Sequence, residues 1–369
     1  MKLAVDVAVI GGGLVGTSAA LELRRRGLSV ALVDKGYCGA QASGVNYGGV
    51  RRQGRPLAQL PLSQRSHAVW RNLKSLIGTD GEFLCSGHLK LARNEAEMTS
   101  LALYAEEVSG QGLELELLGG SKLHGRFPWI QGNVVGASFC PADGHANPRL
   151  VAAGFAVAAA HAGAWILENS PVRDVVCCGG RFELTAGDDI AISARTVINS
   201  AGAWADHFAA AFGETVPLRR IYPAMIVTEP VAPLVSVNIG VEGGGIYLRQ
   251  VERGNCIVGG EKGVALDNPD FSRPDGVGVL AIMERAADLI PALRHAQAIR
   301  FWSGTEGAFP DRNPVIGESG TTPGLFHAFG FSGAGFQIAP GVGQVLAELI
   351  QTGKSATSLE AFSITRFSM

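Results

Sequence analysis

An apolar run over residues 5–10 leads into Gly11-Gly12-Gly13-Leu14-Val15-Gly16, and a second apolar run, Val30-Ala31-Leu32-Val33, closes on Asp34. Strand, glycine turn, helix, strand and acid in that order predict a dinucleotide-binding βαβ unit, because each residue type answers a separate physical need. Gly11 permits the tight turn, and Gly13 lets backbone approach a pyrophosphate. Gly16 lets the following helix, expected over 17–26, lie close on the sheet. The pyrophosphate then sits at that helix's N-terminus, beside Leu14 and Val15, where free N–H groups and the dipole favour an anion. Asp34, 18 residues after Gly16 and followed by Lys35, stands at the tip of the second strand. There its carboxylate can accept both hydroxyls of an adenosine ribose, which disfavours a 2′-phosphate and so NADP. The motif announces a dinucleotide without deciding between NAD and FAD.

A chain of 369 residues is long for one core and suits two intertwined domains, and 47% hydrophobic against 17% charged residues predicts well-buried globular structure. The net charge of −2 offers no broad basic field, so no nucleic-acid partner is expected. Arg24-Arg25-Arg26 falls at the end of the first helix, where cations suit the dipole. The N-terminal apolar run carries Asp6 and flows into the nucleotide motif rather than into a cleavage site, so no secretory signal is read. The most apolar helical stretch, 150–165, is too short to span a bilayer. The expectation is a cytoplasmic protein, with attachment to the periphery of the inner membrane left open. Six cysteines show no CxxC or Cys/His spacing, so no metal site is predicted. Cys177-Cys178, beside Gly179-Gly180, read as small apolar residues of a hairpin.

Residues 38–52, rich in glycine and without clear periodicity, predict a loop that fits close to something. A helix is expected around 60–76, then strands and one Glu-rich helix (95–108) up to Cys140, a break at 141–148, and an alanine-rich helix from Arg149. Residues 165–168, 172–176, 181–185 and 196–199 read as strands, 219–260 as antiparallel sheet and 276–290 as a helix. Near the end of the chain the opening style returns. An apolar strand over 324–329 meets the turn Gly330-Phe331-Ser332-Gly333-Ala334-Gly335-Phe336, and a helix over 338–351 ends at Gly353. The two ends are therefore expected to build one nucleotide domain, with the middle forming an inserted sheet domain.

These motifs in this order make the whole chain resemble the FAD-dependent amine and D-amino-acid oxidoreductases, the group of glycine oxidase, sarcosine oxidase β subunit and D-amino-acid or D-hydroxyproline dehydrogenase. The resemblance rests on 11–34, on Ala42-Ser43-Gly44, on 141–148, on 197–204 with Ser200-Ala201-Gly202, on 309–317 and on 330–340. It implies an α/β protein with a Rossmann-like FAD domain of the glutathione-reductase type, over 1–78, 145–212 and 300–369. Residues 79–144 and 213–299 would form an α+β substrate domain on a mostly antiparallel sheet.

The cofactor implied is FAD. Ser43 would donate to the pyrophosphate and Gly44 avoid a clash with it; Gly48, Gly49 and Val50 fall in the same cofactor segment. Ala201-Gly202 would admit the cofactor, and Val172 looks like the family position whose backbone pairs with adenine. The glycines at 330, 333 and 335 would let the last helix aim its N-terminus at the isoalloxazine ring, stabilising the charge of reduced flavin. Gly304 stands where monomeric sarcosine oxidases carry a flavin-tethering cysteine, so the FAD is expected to be non-covalent.

The resemblance implies oxidation of a C–N bond: hydride passes from the carbon next to nitrogen to flavin N5, giving an imine. The residues to look for are a carboxylate clamp, an amine-side partner and an apolar wall. Glycine oxidases carry an arginine in the region where this chain has Glu306, so the usual clamp is missing here. Arg51, Arg52 and Arg55 are the candidates in its place, with Arg52 and Arg55 keeping a three-residue spacing known in sarcosine oxidases and the register open by one. Tyr247 and Arg249 share a strand face by alternation. Glu306 either binds the substrate ammonium or pairs structurally with an arginine. Lys262 and His327 read as structural.

The expected substrate is a small amino or imino acid: a D-amino acid, a D-hydroxyproline or proline-like imino acid, sarcosine or glycine. Electrons would pass to oxygen, a quinone or a partner subunit. A homo- or hetero-oligomer is possible within the group. The alternatives are a flavoprotein subunit of an opine- or sarcosine-type dehydrogenase active only with partners, and a tRNA-modifying FAD oxidoreductase.

Overall fold

Two β-sheets organise the chain in the computed structural model, which describes residues 1–368. The first has eight strands. Its spine runs Val315–Glu318, Leu325–Phe329, Ile190–Asn199, Lys2–Ile10 (β1), Val30–Val33 (β2), Trp165–Leu167. The neighbours from Leu325–Phe329 to Trp165–Leu167 pair in parallel, and Val172–Cys178 and Arg181–Ala186 add a hairpin on Ile190–Asn199. Parallel strands covered on both faces require apolar side chains on both. In β1, Val7 and Val9 join the core beneath the helices, while Ala8 and Ile10 enter the core on the opposite face.

Helices Leu14–Arg25 (α1), Pro148–His161, Leu60–Trp70 and Gly335–Thr352 cover one face of that sheet. The first and last of these lie so close that a Cβ on Gly343 would meet Ser18 at 2.6–2.7 Å. Both ends of the chain thus build the same layer.

The second sheet has nine strands, drawn from residues 88–140 and 223–303. Its pairs are antiparallel except Asn238–Val241 alongside His88–Ala92, and helix Gly276–Leu289 closes its core with Ile282, Ala286 and Leu289. Strand Ala298–Ser303, which straddles the expected boundary at 300, pairs with Pro223–Pro230 in this sheet. Two short ladders complete the fold: Arg219–Ile221 on Glu306–Ala308, and Gly49–Val50 on Gly144–His145.

Several elements differ from the sequence expectation. α1 begins at Leu14 rather than at residue 17, because Gly13 serves as its N-cap and Gly16 falls inside the first turn. Residues 38–52 are not all loop: they hold a one-turn helix, Ala42–Val45, and the two-residue strand Gly49–Val50, both too short to leave a periodic signal. The helix expected over 60–76 is two, Leu60–Trp70 and Leu73–Ile77. They are broken at Asn72, whose side chain caps the carbonyl of Ala68 in competition with the helix ladder. The last helix starts at Gly335 and ends, as expected, at a left-handed Gly353.

Among the described residues no helix is long and apolar enough to cross a membrane, and no group of three His, Cys, Asp or Glu side chains could hold a metal ion. Cys177 and Cys178 lie exposed at the end of a hairpin strand.

Candidate active site

A cavity of about 800 Å³ is lined from both sheets, and the glycine turns of the first sheet form its floor. Gly11 takes a φ of +105°, open to few residues other than glycine, and a Cβ there would strike the backbone of Ser200. The helix approaches as closely: a Cβ on Gly16 would collide with the Gly11 carbonyl and meet Ser200 Oγ at 2.7 Å.

Asp34 is held at the tip of β2 by two backbone donors, Gly12 N–H to Oδ2 at 2.6 Å and Gly36 N–H to Oδ1 at 2.8 Å. A carboxylate has about four acceptor sites, so two of its lone pairs stay free to face a ribose. Ser43 Oγ accepts the Leu14 N–H at 2.8 Å, which leaves its own hydrogen free to donate to an anion at the start of α1. Lys35 bonds Asp270 at 2.7 Å and stands 3.6 Å over the ring of Trp204.

At the far end, Gly330, Ser332 and Gly333 all have positive φ, and this turn sets the N-terminus of the last helix against the cavity. Glu306 crosses to it and accepts the Gly333 N–H. Burial pushes the Glu306 carboxyl above the ordinary range, against the opposing pull of the Gly333 N–H and of Arg55. Trp302 donates to the Val45 carbonyl at 2.7 Å and so fastens the second sheet to the cofactor loop.

The second sheet supplies the roof. Tyr247 packs edge-on against Tyr47, ring centroids 4.6 Å apart, and the Tyr47 hydroxyl donates to Asn238 Oδ1 at 2.5 Å. Arg55 is nearly out of solvent, with Nη1 on the Gly333 carbonyl at 3.4 Å and Nε on the Arg51 carbonyl at 3.3 Å. Arg51 Nη1 donates to the Gln53 carbonyl at 2.6 Å. Neither guanidinium has a carboxylate within ion-pair distance among the described residues.

His88 sits beside them. The Gln53 amide is oriented by donating to the backbone carbonyls of His88 and Ser138 while accepting from Ser138 Oγ, so its Nε2 also donates to His88 Nδ1, 2.8 Å away. That places the His88 proton on Nε2. Burial, with Arg51, Lys90 and Arg55 nearby, keeps the imidazole neutral.

Of the residues singled out from sequence, Arg51, Arg55, Tyr247 and Glu306 line the cavity, as do Gly11, Gly13, Leu14, Val15, Asp34, Lys35, Ala42, Ser43, Gly48, Gly49, Val172, Ser200 to Gly202, Gly304, Gly330 to Gly333, Gly335 and Phe336. Arg52 does not. It turns away to Asp143, Nε to Oδ1 at 3.0 Å, and to Gln64 at 2.6 Å, so it is a structural ion pair and not part of a clamp. Arg249 also stays behind the wall: it donates to the Tyr47 carbonyl at 2.8 Å and to His145 Nδ1, and it supports Tyr47 rather than facing the cavity. Gly16, Gly44, Val50 and Ala334 lie outside the lining; Gly16 and Gly44 act in packing, the latter against the Gly39 carbonyl.

Lys262, read as structural, lies on the cavity wall, whereas His327 is buried between Glu214 and Asn199. Sequence reasoning passed over His88, Lys90 and Asn238. The first two carried a usable signal, since two polar residues spaced by two on an otherwise apolar strand share one face.

Comparison with known proteins agrees with this geometry. A model of the FAD dependent oxidoreductase family matches residues 6–349. Glycine oxidase of Geobacillus kaustophilus is 28% identical, with 98% of this chain and 97% of the relative covered. One of the subunits of opine oxidase from Agrobacterium tumefaciens is 29% identical, with 98% of each covered. The solved structure of L-proline dehydrogenase from P. horikoshii superposes with a TM-score of 0.91 at 27% identity, covering 100% of this chain and 98% of that one. The glycine turns, the anchored Asp34 and the free Ser43 hydroxyl fit the dinucleotide half of FAD, and the chain belongs to the family of FAD-dependent oxidoreductases.

Proposed function

We propose that the protein oxidises the C–N bond of a small amino or imino acid, with FAD held non-covalently along the cavity. The observation that carries this reading is the pair Arg51 and Arg55, two cations without an ion-pair partner among the described residues, in the same cavity as the glycine turn over 330–336. A buried guanidinium with only carbonyl partners is costly unless an anion joins it, and a fork of N–H donors matches a carboxylate.

When bound, FAD supplies the acceptor for the hydride that leaves the carbon next to nitrogen. The residues of this chain do the rest. Arg55, fixed between the Arg51 and Gly333 carbonyls, orients the substrate carboxylate near the turn. Glu306 faces the ammonium and takes up its proton, which frees the nitrogen lone pair for C=N formation; burial raises its pKa above the ordinary carboxylate range, which makes it a better proton acceptor than an exposed carboxylate. Tyr47, Tyr247 and Met225 supply an apolar wall that excludes water. The N-terminus of the last helix, at the cavity, would hold the ring end of FAD and favour negative charge on it.

Substrates of this class support the reading in the named relatives: glycine, opines and L-proline. Anaerobic addition of D-amino acids, sarcosine, glycine, prolines, hydroxyprolines and the diacids glutamate and iminodiacetate to the purified yellow protein tests it. Bleaching of the visible flavin absorbance by at least one of them is expected, and a panel that leaves the flavin oxidised throughout defeats the reading.

A second reading is favoured by the two opine oxidase relatives, each one subunit of a larger enzyme, at 29% and 28% identity over 98% of their length. In it the same chemistry proceeds in this chain, and electrons leave through a partner subunit. Rapid flavin reduction by substrate combined with negligible reoxidation by oxygen or a quinone analogue, in the isolated protein, is its signature.

A further inference from the structure

The cavity holds more positive charge at its substrate end than one carboxylate neutralises. Three acids line it: Asp34 at the ribose end, Glu261, which is paired to Arg285, and Glu306 at the turn over 330–336. Against them at the substrate end stand Arg51, Arg55 and Lys90. Lys90 is met by Glu242, yet the two arginines have no carboxylate partner among the described residues.

The two arginines also point to different places. Arg55 reaches the Gly333 carbonyl, on the Glu306 side. Arg51 lies toward the second sheet: its Nη1 and Lys90 Nζ sit 3.4 and 3.3 Å from the position a Cβ on Gly54 would take. His88, on the same strand face as Lys90, completes this second cluster with a neutral Nε2–H, 3.2 Å from where a Cβ on Gly240 would be. A side chain at 54 would crowd Arg51 and Lys90, and one at 240 would crowd His88. A guanidinium, an ammonium and an imidazole N–H lining the same cavity, with one acid, Glu242, beside them, make a site for an anion.

We propose that the substrate is an amino or imino diacid, with one carboxylate held by Arg55 beside Glu306 and a second by Arg51, Lys90 and His88. This rests on the C–N oxidation proposed above and names its substrate class. The nitrogen lies between the two carboxylates or next to the first. The second carboxylate takes no part in bond making; it fixes the orientation of the carbon that loses hydride and gives up its water to three donors already aligned. Simple monocarboxylates would leave the Arg51 cluster unsatisfied and bind weakly, as a site built around polar groups rejects an analogue that lacks them.

The test uses the holoenzyme as isolated. Inert acids come first: malonate, succinate and glutarate are titrated against acetate and propionate, and the shift of the flavin spectrum is followed. The best dicarboxylate is expected to bind at least 30-fold more tightly than either monocarboxylate. Iminodiacetate, N-(carboxyalkyl)amino acids and glutamate are then compared with glycine, sarcosine and proline in anaerobic reduction, and a diacid is expected to lead in kcat/KM by a similar factor. Arg51→Gln is expected to lower dicarboxylate affinity at least tenfold more than monocarboxylate affinity, with Lys90→Met in the same direction. Equal binding of mono- and dicarboxylates by the unmodified protein overturns the proposal without any variant having to fold. Reduction by monocarboxylate amino acids at equal or better kcat/KM overturns it while C–N oxidation stands. Strong dicarboxylate binding with no reduction by any amino or imino acid instead defeats C–N oxidation and leaves the dianion site supported.

Discussion

Arg52 Nε lies 3.0 Å from Asp143 Oδ1, and the two side chains are 7% and 0% exposed. The carboxylate also accepts the backbone N–H groups of Arg52 and Gln53, at 2.9 and 3.0 Å, so this pair holds the start of the arginine segment in place. Removing one partner of a buried pair strands the other charge, at a cost of about 3–5 kcal/mol. Arg52→Met is therefore expected to lower unfolding free energy by about that amount in urea. Arg55→Gln, which removes a cation with no acid partner among the described residues, is expected to change stability little and to raise KM. A comparable stability loss in both variants contradicts the division between them.

Glu306 gives the pH dependence a sign. Burial raises its carboxyl pKa above the ordinary value, and the form that accepts a proton from the substrate ammonium is the ionised one. kcat/KM is expected to rise with pH through this raised pKa, and Glu306→Gln to lower kcat/KM by about 10²–10⁴-fold and remove that acid limb. Stability runs the other way. The native carboxyl keeps its proton to higher pH than the unfolded one, so its contribution falls as pH climbs from the ordinary carboxylate range through the raised pKa. Glu306→Gln removes that slope, which pH-dependent denaturant midpoints would record.

The two halves of the site differ in how much of them was legible in the sequence. The dinucleotide half was nearly all readable, because local backbone geometry selects its residues: Gly11 for positive φ, Gly16 for contact with the first strand, Asp34 for the tip of the second. The substrate half was only partly so. Arg52 and Arg55 looked alike in spacing, and only the tertiary position of Asp143, 91 residues beyond Arg52, distinguishes a structural arginine from a cavity arginine. Alternation did place Tyr247 and Arg249 on one face, yet Arg249 is engaged by the Tyr47 carbonyl and ring and does not line the cavity. Alternation puts His88 and Lys90 on one strand face, but that this face meets the site depends on pairing with Asn238–Val241, a long-range contact that no local pattern encodes.

Asp34 carries a prediction about cofactor rather than substrate. Its carboxylate is oriented by Gly12 and Gly36 and lines the cavity, where its remaining acceptors would meet the ribose of FAD. Hydrogen bonds to charged groups contribute about 1.5–3 kcal/mol each. Asp34→Asn is expected to weaken FAD affinity by about one such bond, roughly 10- to 150-fold, with kcat at saturating FAD nearly unchanged. Apoprotein titration by flavin fluorescence measures the first quantity, and unchanged affinity would remove Asp34 from the ribose.

The turn that joins Asn255–Ala265 to Ser272–Pro274 bridges the two sheets at the cofactor end. Asp270, in that turn, bonds Lys35 at 2.7 Å and accepts the Trp204 indole N–H, while its backbone carbonyl accepts Thr305 Oγ1 at 3.2 Å. Lys35 and Trp204 both line the cavity beside Asp34, so this turn would brace the wall against which the adenosine end of FAD would lie. Lys35 and Asp270 are 38% and 31% exposed, which limits the ion pair to about 0.2–1 kcal/mol. Asp270→Ala also removes the indole bond to the carboxylate, worth about 1.5–3 kcal/mol more. FAD release is therefore expected to quicken by at least about twentyfold, in dilution experiments followed by flavin fluorescence. Because this turn touches neither Glu306 nor Arg55, kcat/KM of the FAD-saturated enzyme is expected to hold, and a large fall there would show that the turn also shapes the substrate end.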